Sequence, residues 1–170
     1  MRRVSRLTVM AVVTGAVLCA TIQMSSAATD QVRDPRGDAR SRIDIRGATF
    51  HNRAHAVVGV IDVARLRPLV SRFSVSLAPL NSPDIAFVAH TIRRENGTRV
   101  NRLIFFDDIA QRHVVECDLR AVWDFDASTV KIRTPRSCLM GVTGTLHMGA
   151  QSRIPGTSDD RTRFRDVDQG

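Results

Sequence analysis

Tyrosine is absent and tryptophan occurs once, at Trp123, so aromatic residues make up only 5% of the chain. Sugar sites commonly offer flat aromatic faces beside polar groups, and single-stranded nucleic acid is held on stacking rings. Composition therefore provides poorly for a glycan platform, and specific nucleic-acid recognition is not expected. Lysine is almost missing as well: Lys131 stands alone and every other basic residue is arginine. A GC-rich coding sequence accounts for that bias. The functional alternative is attraction to anionic polymers or a membrane surface.

The signatures of familiar reaction centres are also lacking. There is no Gly-x-Ser-x-Gly elbow, no His-Glu-x-x-His pair and no phosphate-binding glycine loop. The histidines do not converge in sequence. His51 and His55 bracket a turn with nothing nearby to complete a zinc set. His90, among apolar residues, reads as a satisfied core residue. No catalytic residue and no transition-metal site is expected, and the chain is read as a non-enzyme. The residual enzymatic alternative is a hydrolase without a recognisable motif, since a triad assembled from distant residues is defined by geometry.

The one long apolar run, Leu7 to Ala20, follows Arg2, Arg3 and Arg6 and precedes Ser25-Ser26-Ala27. A positive segment, an apolar stretch short for a membrane span and small residues at a cleavage point make a secretory signal. Residues 1–27 are expected to be that signal, with retention as an anchor the alternative, and no transmembrane segment is expected after cleavage. The net charge of +8 loses three signal arginines and stays positive. What remains suits one domain. It divides into a lead-in and turn over 28–42, a folded body over 43–150 and a polar tail over 151–170, read as an extended segment or a frayed end. The expected location is secreted or in the extracytoplasmic cell envelope.

Two of the three cysteines, Cys117 and Cys138, lie beyond the signal. An even pair in an exported chain reads as a disulfide closing a loop of about 20 residues. Two buried thiols are the competing reading.

Helical spacing is scarce beyond the signal, and nearly all of the rest reads as strand and turn. Residues 55–63 are β-branched on both faces. Phe73, Val75 and Leu77 alternate with polar residues, as do Cys117, Leu119, Ala121 and Trp123, and then Val142 to Ala150. These features imply an all-β fold: a single antiparallel β-sandwich of about seven or eight strands with one disulfide. Asn96-Gly97 between two strand-like runs signals a two-residue hairpin turn. That turn sets Arg94 opposite Arg99 and Val88 opposite Phe105. The hairpin base is then apolar on both faces, and its second face needs a loop, the tail or a partner to cover it. Arg93, Arg94, Arg99 and Arg102 gather near the tip as a candidate anionic-ligand patch. Asp124-Phe125-Asp126 imitates a calcium loop but lacks its glycine and its last glutamate, and reads as a hairpin turn. Asp107-Asp108 and Asp159-Asp160 read as solvated loop residues.

Asp34-Pro35-Arg36-Gly37-Asp38 holds the residues of a turn. Arg36-Gly37-Asp38 is also the adhesion tripeptide, and Asp34 and Asp38 are candidate calcium ligands; no other cofactor is expected. Ile43 and Ile45 begin a strand in which Gly47 marks a bulge. The Asp-Pro-x-Gly-Asp start, the hydrophobic hairpin over 51–63, Cys117-Asp-Leu-Arg and Pro135-Arg-Ser-Cys138-Leu139 resemble exported actinobacterial β-sandwich proteins of unknown function. The opening is also distantly similar to family-nine-type carbohydrate-binding modules. That resemblance implies a fold and binding to a glycan or envelope component. The functional expectation is a non-catalytic binding domain for an envelope glycan or an anionic polymer. The alternative is a structural or protein-partner-binding domain of the envelope.

Overall fold

The computed structural model describes residues 28–35, 37–40, 42–107, 112–156 and 159–170. The expected signal, 1–27, lies outside them, as do Arg36 and Asp108. Twelve strands are found among the described residues: β1 (Ala28–Arg33), β2 (Ile45–Asn52), β3 (Ala56–Val63), β4 (Ser71–Pro79), β5 (Ala86–Arg93), β6 (Arg99–Phe106), β7 (Arg112–Val115), β8 (Arg120–Asp124), β9 (Thr129–Pro135), β10 (Leu146–Arg153), β11 (Asp160–Arg161) and β12 (Arg165–Val167). The excess over the expected seven or eight comes mostly from short edge strands, which carry too few residues to show a period. No helix among the described residues is long and apolar enough to cross a membrane.

The strands form a β-sandwich. A five-stranded sheet runs β1-β2-β3-β9-β8, and a seven-stranded sheet runs β11-β10-β4-β5-β6-β7, with β12 pairing β10 beside β11. All pairings are antiparallel. Alternation decides which side chains turn inward. Ala48, Phe50, Ile61, Val130 and Ile132 from the smaller sheet meet Phe73, Val75, Leu77, Phe87 and Leu103 from the larger, all buried. The sheets approach closely at Gly59, where an added Cβ would stand 2.5 Å from a Val75 methyl. The pairing of β2 with β3 slips between Ile45 and Gly47, the bulge that Gly47 led us to expect. A Cβ on Gly47 would stand 2.7 Å from the Val32 carbonyl oxygen of the edge strand.

Cys117 and Cys138 form the disulfide, their Cα atoms 5.8 Å apart. It ties the approach to edge strand β8 to a 3-10 turn, Arg136–Leu139, that follows β9. Trp123 is buried and turned inward as its alternation implied. The Asp124 region is a hairpin turn between β8 and β9, in which the Ala127 N–H donates to Asp124 Oδ1 at 2.8 Å.

One expectation is corrected. The β5–β6 hairpin is shifted by one residue: Arg93 faces Arg99 and Phe87 faces Phe105. The Gly97 N–H donates to the Arg94 carbonyl and the Arg94 N–H to that of Thr98, and Gly97 alone takes a positive φ of 81°. This is a three-residue loop, a type I turn closed by a left-handed glycine, rather than the two-residue turn. Of the two readings of the tail, the extended segment holds and the frayed end does not. The tail returns as β11 and β12 along the outer edge of β10, burying Asp160, Thr162 and Val167. Asn52, fully buried, fastens it: Asn52 Nδ2 donates to the Gly144 carbonyl (2.9 Å) and the Val167 carbonyl (2.8 Å), and Oδ1 accepts from Arg136.

Candidate functional site: an arginine-lined groove

The corrected register divides the four arginines of the hairpin. Arg93 and Arg99 turn inward at one end of the sandwich and lie over aromatic rings. The Arg93 guanidinium carbon is 5.9 Å from the Phe125 ring centroid, and that of Arg99 is 5.9 Å from both Phe125 and Trp123. Such contacts are favourable cation–π geometry. Arg93 Nη1 also donates to the Gly97 carbonyl at 3.0 Å. Arg94 is exposed in the turn, and Arg102 points to the opposite, outer face of the larger sheet, across from His90. The four therefore do not make one patch. The Phe125 and Trp123 rings carry arginines, which leaves the tip without the bare aromatic platform a sugar would use.

The outer face of the larger sheet holds a different constellation. Antiparallel register sets Gln151, Ser74, His90 and Arg102 in one row across β10, β4, β5 and β6. A groove of about 270 Å³ opens along this row, lined among others by Arg72, Arg112, Arg153 and Arg161, with Val88, Ile104 and Phe106 as its apolar wall. The wall is the second face of the hairpin base, so arginine side chains of neighbouring strands flank the surface for which the sequence demanded cover. Asp159 is the one acidic residue of the lining among the described residues. It pairs with Arg153 at 3.1 Å and Arg161 at 3.2 Å and accepts from Gln151 Nε2 at 2.6 Å. Among the described residues no carboxylate pairs with Arg72, Arg102 or Arg112.

His90 lies in this basic setting with 4% of its surface exposed. Burial pushes its pKa down to about 4, and the charges of Arg72, Arg102 and Arg112 push the same way. The ring is thus neutral, and the positive charge of the groove belongs to the guanidiniums. Its Nε2 has no hydrogen-bond partner among the described residues, so the expected satisfied core histidine is corrected. Sequence reading missed this site because its residues come from strands far apart in the chain. Only strand order and register make them neighbours.

A second cluster forms where the lead-in meets the tail. Carboxylate oxygens of Asp34, Asp38 and Asp160 lie within 4.8 Å of one another. Asp34 and Asp38, the two candidate calcium ligands, stand together here. Asp160, read as a solvated residue, is instead 5% exposed because β11 carries it back against β10, and its Oδ2 accepts from the Ile45 N–H at 2.5 Å. Asp44 is turned aside to the Gly37 N–H at 3.1 Å. Calcium takes six to eight oxygens, of which these three carboxylates supply a part. Burial, then the charges of Asp160 and Asp38, raise the Asp34 pKa to about 6. Burial raises that of Asp160 as well, against the hydrogen bond from Ile45.

A stability prediction follows. A carboxyl that holds its proton more tightly when folded favours the native state below the unfolded pKa of about 4, and that contribution is lost as pH rises through about 6. Asp34→Asn, which cannot ionise, is expected to raise stability by roughly 1–2 kcal/mol at pH 7.5 and by nearly nothing at pH 4. His90 acts in the opposite sense over this window, but equally in both proteins, so the difference between their melting curves isolates Asp34. A variant no more stable than wild type at pH 7.5 would remove the repulsive cluster.

No protein-family model matches the chain, and no curated protein or solved structure is significantly similar to it. The chemistry of the groove rests on its own geometry.

Proposed function

We propose that the chain is an exported, non-catalytic binding domain that holds an anionic polymer of the cell envelope on the outer face of its larger sheet. The observation that carries this reading is the groove beside His90, lined by Arg72 and Arg112 with Arg102 across from His90, three arginines without acidic partners among the described residues. Unpaired guanidiniums on one face are an electrostatic footprint for a polyanion. Export is supported by the signal-like first 27 residues and by the disulfide, a bond that persists in oxidising compartments. The family likeness of the sequence points to the same setting, and an envelope glycan bearing phosphate or carboxylate groups satisfies both descriptions.

The test is retention on immobilised polyanion, with heparin and polyphosphate as probes, over a salt series. Affinity is expected to fall steeply with salt. Arg72→Ala with Arg112→Ala should weaken it about tenfold or more and flatten the salt dependence, because each lost phosphate contact removes about one released counterion. Arg94→Ala and Arg120→Ala, away from the groove, should leave it unchanged. Retention that ignores salt, or that survives the double substitution, overturns the reading. Calcium has its place here at Asp34, Asp38 and Asp160: a melting temperature raised by millimolar calcium in wild type, and unmoved in Asp34→Asn with Asp38→Asn, assigns the ion. No shift in wild type discards it.

A further inference from the structure

The groove joins charged flanks to an apolar floor, and the combination narrows the ligand. Arg72 reaches in from β4 and Arg112 from β7, on opposite sides of β5 and β6, and Arg102 stands exposed across from His90. Between them lie Val88, Ile104 and Phe106, of which Ile104 is buried and the other two half-buried. A planar carboxylate is satisfied by a single bidentate arginine. A phosphodiester carries its charge on two non-bridging oxygens of a tetrahedral phosphorus, which do not share a plane with its ester oxygens, and successive diesters along a chain suit cations set apart on separate strands. Arg153 and Arg161, which would add to the excess, are already drawn to Asp159. His90 adds a neutral, buried ring with one nitrogen unpartnered among the described residues.

We infer that the groove selects phosphate over carboxylate, and that its occupant is a phosphodiester-linked polymer segment. Non-bridging phosphate oxygens face Arg72, Arg102 and Arg112, and the carbons of the linker lie on Val88, Ile104 and Phe106. This rests on the polyanion reading above and names the anion.

The experiment compares soluble oligomers of equal length and charge by titration calorimetry at fixed ionic strength: a glycerol-phosphate oligomer and an oligogalacturonate. The phosphate oligomer is expected to bind at least tenfold more tightly. Arg72→Ala and Arg112→Ala should each reduce its binding by about tenfold, and Phe106→Ala by a few-fold while leaving the galacturonate unaffected. The nitrogen resonances of His90 should shift with the phosphate oligomer only. Phe106→Ala and Arg112→Ala lie on the outer face, and unchanged melting curves confirm that they fold. Equal affinity for both oligomers overturns the phosphate assignment and leaves the polyanion reading standing. Failure of both to bind overturns the two together. Co-sedimentation with phosphatidylglycerol vesicles, stronger than binding of the soluble oligomer, would place the phosphate on a lipid surface and overturn the polymer.

Discussion

Replacing Trp123 by alanine is expected to cost about 3–5 kcal/mol, the range for removing a large buried aromatic side chain. The ring is 5% exposed and meets Phe73 edge-on, with centroids 5.1 Å apart and planes at 82°. Its Nε1–H donates to Thr91 Oγ1 at 3.0 Å, a hydrogen bond between two buried groups. Arg99 lies over its face. The substitution therefore opens a cavity, strips Thr91 of its donor and releases an arginine at once. Against a typical total of about 5–15 kcal/mol, a loss of this size removes much of the margin. Urea denaturation measures it. Trp123→Phe is expected to lose less, and adding Thr91→Val to Trp123→Phe should recover part of that loss, because the stranded hydroxyl goes too. A loss below about 1 kcal/mol for Trp123→Ala would mean that the ring is not the packed element these contacts describe.

Opening the disulfide is expected to cost about 3 kcal/mol. Cys117 and Cys138 are separated by 21 residues, and closing a loop of that length removes about this much from the unfolded chain's entropic advantage. The loop contains β8, an edge strand paired among the described residues with β9 alone. Without the bond, β8 keeps that ladder and the packing of Leu119 and Trp123 but loses its covalent tether to the turn after β9. Cys117→Ser with Cys138→Ser should lower the urea midpoint. Amide exchange should accelerate first over residues 117–124. An oxidised protein whose midpoint matches that of the reduced protein would contradict this account.

The fold was largely readable because alternation is a local signal. Phe73, Val75 and Leu77 on β4 and Trp123 on β8 fell on the inner faces as their spacing implied. Gly47 marked its bulge, and the cysteine pair followed from its even number and the expectation of export. The hairpin register failed for a physical reason. Asn-Gly serves a two-residue turn and also the last two places of a three-residue loop, and only the second leaves Asn96 outside the positive-φ region. That one-residue slip flips every side chain relative to its partner strand. It sent Arg93 and Arg99 to the aromatic rings instead of to a common patch with Arg94 and Arg102. The tail was readable as extended but its pairing was not, because it is polar. Its pairing depends on backbone hydrogen bonds with β10 and on Asn52, neither of which leaves a hydrophobic period. The groove was least readable, since it joins residues of β4, β5, β6, β7, β10 and β11 that share no motif.

Asn52 has a mechanical consequence. Ala28, at the head of β1, stands opposite it, and the Gly170 N–H donates to its carbonyl at 3.0 Å. Both ends of the described chain are thus moored at one corner. Tension applied through them would open the sandwich as a zipper, parting β1 from β2 one ladder bond at a time from that corner instead of shearing the whole row at once. Along that axis the fold yields to small forces, whatever its resistance to urea.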